Sequence, residues 1–229
     1  MNRLEELNKA ADIKELNKNT EIKFSNEVLD KFEKLMNSTG LKSSESIISS
    51  LFKDVTDNTK RNIDVNECRT MERSCISAIN ETAEKFEDGN WERYSPEERA
   101  EVLDLLAKRI GEICKINIKG VQFFKVPPNC RGFEVGNGYL YLHNDYLENP
   151  ELKEEALNTL LHETRHTFQK AVVNDPASYD IDAETVKRWK NNFRHYLDPE
   201  KFGYMRYYTQ PVEMDANMFA EYVLNHREF

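Results

Sequence analysis

ELKEEALNTLLHETRHTFQKAVV, residues 151–173, is the stretch on which the fold turns. Leu157, Leu160, Leu161, Thr164, Phe168, Ala171 and Val172 recur at the spacing of one helical face and form a single apolar arc. His162 and His166 lie nearly opposite that arc. The pattern predicts a helix that packs on a sheet through one face and offers its histidines to a cleft on the other. Asn149-Pro150 introduces it.

His162-Glu163-Thr164-Arg165-His166 is an HExxH motif. Residues four apart on a helix share a face, so both imidazoles can reach one ion. Neutral imidazole nitrogen is a good zinc ligand. Glu163, beside the first histidine, is placed to take a proton from an attacking water. A catalytic zinc usually has three protein ligands, so one more is required. The metzincin extension would need Gly and His where Gln169 and Val172 stand, which excludes that subclass. His143, His195, His226 and the downstream carboxylates are the candidates for the third ligand.

The best of them lies in residues 210–224, QPVEMDANMFAEYVL. Pro211 opens a helix whose buried arc is Val212, Ala216, Phe219, Ala220 and Val223. Glu213 sits at the edge of the arc, and Asn217 follows one turn later on the same side. Glu213 is the expected third ligand. Asn217 is the expected acceptor for the far nitrogen of a ligand histidine. Asp215 projects at a different angle and is the weaker candidate. The helix dipole alone also favours an acid in a first turn.

Outward from these two helices the pattern changes. Residues 116–126, INIKGVQFFKV, are β-rich; residues 131–135 and Tyr139–His143 read as further strands, the last two joined by an Asn137-Gly138 turn. Before them, Ser95-Pro96-Glu97-Glu98 caps a helix with apolar Val102, Leu105, Leu106 and Ile110. Residues 65–86 read as one helix, and residues 183–196 as another. The expected class is α+β: mainly helical, with a small mixed or antiparallel sheet packed on the HExxH helix.

Residues 1–65 are rich in Lys, Glu, Asn and Ser, with helical patterns at 25–36 and 43–54. They read as a helical N-terminal arm or small helical region, a surface for a protein partner. Residues 66–229 form the second region.

Composition narrows the function further. Lys+Arg number 32 against 41 Asp+Glu, a net charge of −9, which argues against non-specific nucleic-acid binding. The run Lys187-Arg188-Trp189-Lys190 reads as a solvated helix face. No apolar run is long enough to span a membrane, and the first residues lack the apolar core of a secretory signal. The four cysteines, Cys68, Cys75, Cys114 and Cys130, form no CxxC pair and read as free thiols. A cytoplasmic chain is expected, with specialised export open. Neither a phosphate-binding GxxxxGK[ST] nor a GxSxG nucleophile motif occurs.

HExxH on one helix followed by ExxxN on the next resembles the gluzincin metallopeptidases. The closest resemblance is to the ImmA/IrrE-type metallopeptidases, whose second helix reads roughly E-x-E-A-N-x-F-A. This chain has Glu213-Met214-Asp215-Ala216-Asn217-Met218-Phe219-Ala220, and the resemblance covers about residues 115–225. It implies a zincin-like metallopeptidase domain over residues 66–229, cleaving a protein or peptide substrate. His162, His166 and Glu213 would hold one zinc per chain, and Glu163 would be the general base. Tyr139, Leu140, Tyr141, Leu142 and His143 would form the edge strand that pairs with extended substrate. Tyr207, Tyr208 or His195 would stabilise the oxyanion. A zincin-like binding or scaffold module, or a delivered toxin or effector protease, are the alternative readings.

Overall fold

The structure, a computed structural model of the chain, describes residues 69–87, 89–125 and 130–228. The readings of residues 1–65 as helices, arm and partner surface lie outside the described residues. Within them the fold is mainly helical with one small mixed sheet, in the expected α+β class. The long helices are α1 (Arg69–Glu81), α2 (Pro96–Cys114), α3 (Lys153–Asn174), α4 (Ala183–Arg194) and α5 (Pro211–Asn225). The strands are β1 (Gly120–Phe124), β2 (Gly132–Glu134) and β3 (Tyr139–His143). No helix among the described residues is long and apolar enough to cross a membrane.

Local chemistry sets most boundaries. At the start of α2 the Ser95 hydroxyl accepts from the Glu98 N–H at 3.2 Å, and the Glu98 carboxylate accepts from the Ser95 N–H at 2.7 Å. This is the reciprocal capping box, with Pro96 in the first turn. The predicted 65–86 helix breaks at Thr82, between α1 and the short turn Ala83–Phe86. The Thr82 hydroxyl donates back to the carbonyls of Ala78 and Ile79, a local bond that competes with helix continuation.

The predicted strand at 116–126 is shorter than its composition suggests. After α2, Lys115 adopts a left-handed conformation, and the Ile116 N–H returns to the Gly111 carbonyl at 3.0 Å. Ile116 and Ile118 are buried by folding back over Gly111 rather than by pairing in a sheet. Regular pairing starts only at Gly120.

The sheet order is β1-β3-β2, with β3 parallel to β1 and antiparallel to β2. The Asn137-Gly138 signal closes the β2–β3 hairpin, with Gly136 and Gly138 both at positive φ. Tyr139–His143 is therefore a correction. Its five residues form the central strand, paired on both sides, and offer no free edge to a substrate. β1 and β2 are the two edge strands instead; three-residue β2 is the one that lines the cleft, and its register places Phe133 opposite Tyr141. Leu140 and Leu142 turn into the core, while Tyr141 turns the other way and stacks on Phe133 at 4.7 Å.

α3 lies across β2 and β3 on one side and packs most extensively against α5 on the other. Of its predicted arc, Leu157, Leu160, Leu161, Thr164, Phe168 and Val172 are buried, and Ala171 partly so. The whole predicted arc of α5 is buried as well. Each fully buried leucine contributes about 1.5–3 kcal/mol. Trp189 of the basic run belongs to this core, while Lys187, Arg188 and Lys190 stay exposed.

Candidate metal centre

The two helices bring His162, His166 and Glu213 together. The histidine Nε2 atoms lie 3.0 Å apart. Glu213 Oε2 is 3.2 Å from His162 Nε2, and Glu213 Oε1 is 3.2 Å from His166 Nε2. These donors are the one such cluster among the described residues. A tetrahedral zinc with bonds of about 2.0–2.1 Å separates its donors by about 3.3 Å. The observed spacings, in which each Glu213 oxygen faces a different imidazole, are close to that size, so the donor set fits such an ion in both chemistry and spacing.

Two further observations support the fit. Glu213 is 1% exposed, yet its Oε2 has no hydrogen-bond partner, and its approach to His162 lacks hydrogen-bond alignment. A buried carboxylate oxygen left in this way is costly unless a cation meets it. The tautomer of His166 is fixed as well. Gln169 donates its amide N–H groups to the Val212 carbonyl at 3.0 Å and to Asp215 Oδ2 at 2.6 Å. Its Oε1 must then accept, and the His166 Nδ1–H donates to it at 2.9 Å. That leaves the Nε2 lone pair of His166 aimed at the centre.

Burial would raise the Glu213 carboxyl, but the adjacent imidazoles of His162 and His166 outweigh it and hold the group well below the usual carboxylate range. Burial lowers His166, and the Glu213 contact overrides it in the opposite direction. Glu163, on α3 between them, is pushed up to about 7, chiefly by its own burial, with His162 opposing and Glu213 and Glu134 adding to the rise.

A cleft of about 700 Å³ opens over these residues. One wall is β2, with Gly132, Phe133 and Glu134. Thr167, Lys170 and Asn174 of α3, together with Phe193, Tyr196 and Tyr207, also line the cleft. Gly132 is required where β2 crosses α3. A Cβ there would lie 2.5 Å from Thr159 Cγ2, 3.0 Å from the Tyr141 carbonyl oxygen and 3.3 Å from Glu163 Cγ. Lys170 pairs with the Glu134 carboxylate and ties the strand to the helix.

The remaining predicted residues divide. Tyr207 lines the cleft, and its phenol stays protonated because burial and Glu213 both push it up. Tyr208 lies outside the cleft, with its ring against Tyr204. His195 is exposed and bonded to the Asn191 carbonyl at the end of α4. His143 accepts from the Asp145 N–H, and His226 stacks on Tyr222, so neither joins the centre. Asn217 makes no hydrogen bond to either imidazole; Gln169 holds the far nitrogen of His166 in its place. The spacing His166-x-x-Gln169 on one helix was the available signal for this. Asp215 binds Arg165 and Gln169 rather than the centre.

Tyr196 is the residue that the sequence gives no reason to choose. Its hydroxyl donates to Glu213 Oε1 at 2.6 Å. The predicted 183–196 helix ends two residues early, and leaving it lets Tyr196 reach back to α5.

Comparisons with protein-family models, curated proteins and solved structures return no match to this chain. Its reading rests on the site itself.

Proposed function

We propose that the chain is a zinc-dependent metallopeptidase that hydrolyses peptide bonds of a protein substrate. The observation that carries this reading is the convergence of the His162, His166 and Glu213 donors at 3.0–3.2 Å, with Glu163 buried beside them in an open cleft. His162, His166 and Glu213 would hold the ion. Zinc there supplies a Lewis acid that polarises a scissile carbonyl and acidifies water.

The chain's own groups supply the rest. Glu163, poised near neutrality, takes the proton of the attacking water and delivers it to the leaving amine. The free edge of β2 accepts an extended substrate by strand addition, the role that resemblance to gluzincins gives to an edge strand. Tyr207, which lines the same cleft, offers a protonated phenol to the developing oxyanion. The order of the HExxH helix, then the helix of Glu213, supports placing the domain among zincin-like folds.

Elemental mass spectrometry on untagged protein, coupled to cleavage of a denatured protein substrate, tests the reading. About one zinc per chain is expected in the wild type. His162→Ala should lose it. Glu163→Gln should retain it and lose cleavage. A wild type without zinc after reconstitution ends the proposal, and full activity in Glu163→Gln removes the base.

A further inference from the structure

Tyr196 looks at first like a surface tyrosine, since it is 42% exposed. Yet it lines the cleft, and its hydroxyl meets Glu213 Oε1 at 2.6 Å, a short bond to a carboxylate. Buried amides fix the backbone that carries it. The Leu197 N–H donates to Gln210 Oε1 at 3.0 Å, and Gln210 Nε2 donates to the Leu197 carbonyl at 3.1 Å. Asn192 donates to the same Gln210 oxygen at 3.0 Å and accepts from the Val212 N–H at 2.9 Å. Gln210 is 4% exposed and Asn192 8%. Tyr196 is thus latched to the first turn of α5, the turn that carries Glu213.

The two oxygens of Glu213 are consequently unlike. Oε1 accepts from Tyr196, whereas Oε2 is buried without a hydrogen bond. We propose that Tyr196 is a positioning residue of the metal centre: by occupying Oε1, it makes Glu213 a single-oxygen ligand through Oε2. This rests on the metal reading above and goes beyond it. Without the Tyr196 phenol, Glu213 keeps only the His166 approach at Oε1 and the nearby Tyr207 hydroxyl, and the carboxylate can turn to offer both oxygens, which enlarges the coordination shell.

Tyr196→Phe keeps the ring and removes only the hydroxyl. Zinc affinity, read by competition with a chromophoric chelator, should weaken about 10–100-fold, as for other groups that orient metal ligands. The cobalt(II)-substituted protein gives the second reading. The wild type should show the strong visible absorption of four-coordinate cobalt, and Tyr196→Phe the weaker absorption of a five-coordinate ion. Tyr222→Phe, whose ring stacks on His226, should change neither. An unchanged cobalt spectrum in Tyr196→Phe overturns the inference whatever the affinity does. A wild type that binds neither zinc nor cobalt overturns the metal reading itself, and this inference falls with it.

Discussion

Arg165 and Asp215 join the helix of the two histidines to the helix of Glu213 through two parallel hydrogen bonds, 2.7 Å from Nε to Oδ2 and 3.0 Å from Nη2 to Oδ1. Arg165 is 1% exposed. Its guanidinium lies 5.0 Å from the ring centres of Phe168 and Phe219, and 5.4 Å from that of Trp189. A planar cation that binds a carboxylate at two points and stacks on rings is a role lysine cannot fill. Removing one partner leaves the other charge uncompensated. Arg165→Met or Asp215→Ala should therefore cost about 3–5 kcal/mol by chemical denaturation, and the paired Arg165→Met/Asp215→Leu variant clearly less than the sum. Simple additivity of the two losses would show that the pair does not act as a unit.

Gln169 links that ion pair to His166, one of the proposed metal ligands. Gln169→Leu keeps the volume but removes the acceptor for His166 Nδ1 and the donor to the Val212 carbonyl. Zinc affinity should fall about 10–100-fold. Stability should fall by about 1–3 kcal/mol, because a buried carbonyl loses its donor. Isothermal titration with zinc and urea unfolding separate the two effects, and intact affinity would free His166 from this control.

Gly132 tests the approach of strand to helix. Gly132→Ala sets a methyl against Thr159 Cγ2 and the Tyr141 carbonyl, and lifts β2 from the helix over Glu163. Overpacking of this kind costs about 1–3 kcal/mol. The ligands do not move with the strand, so cleavage should fall while zinc affinity holds. Thr159→Ser removes the opposing methyl and keeps the hydroxyl that meets Tyr146 at 2.7 Å. Added to Gly132→Ala, it should restore part of the lost activity; no restoration would place the clash elsewhere.

Zinc should also raise the melting temperature without adding helix. At a free concentration 100 times Kd, an ion that binds only the folded chain adds about 2.7 kcal/mol. Far-ultraviolet circular dichroism should be unchanged by chelator, since Arg165–Asp215 and Gln169 already hold the ligand helices together. Unfolding on chelation would mean that the ion, not these contacts, assembles the domain.

The helices were legible in the sequence because their signals are local. The arcs of residues 157–172 and 212–223 repeat every three to four positions, and burial follows them. The Ser95–Glu98 cap and the Asn137-Gly138 turn are likewise written within four residues. Strand order is not. Nothing within Tyr139–His143 says that β1 will pair along one side and β2 along the other, so a strand with edge-like alternation lies in the centre. Tyr196 was hidden for a similar reason. It stands in a non-helical link, and only the tertiary fold, through Gln210 and Leu197, carries its hydroxyl to Glu213. Arg165 carried no local sign of its partner, which lies 50 residues further along the chain.

The brevity of β2 sets a length scale for whatever the cleft accepts. Three residues at about 3.3 Å each span roughly 10 Å, and alternate backbone groups of a strand point to its free side. A polypeptide laid there finds no more than a few main-chain anchors. A folded globule would have to present a short loose loop or a frayed terminus, and the rest of its recognition would have to come from side chains and from surfaces away from the strand.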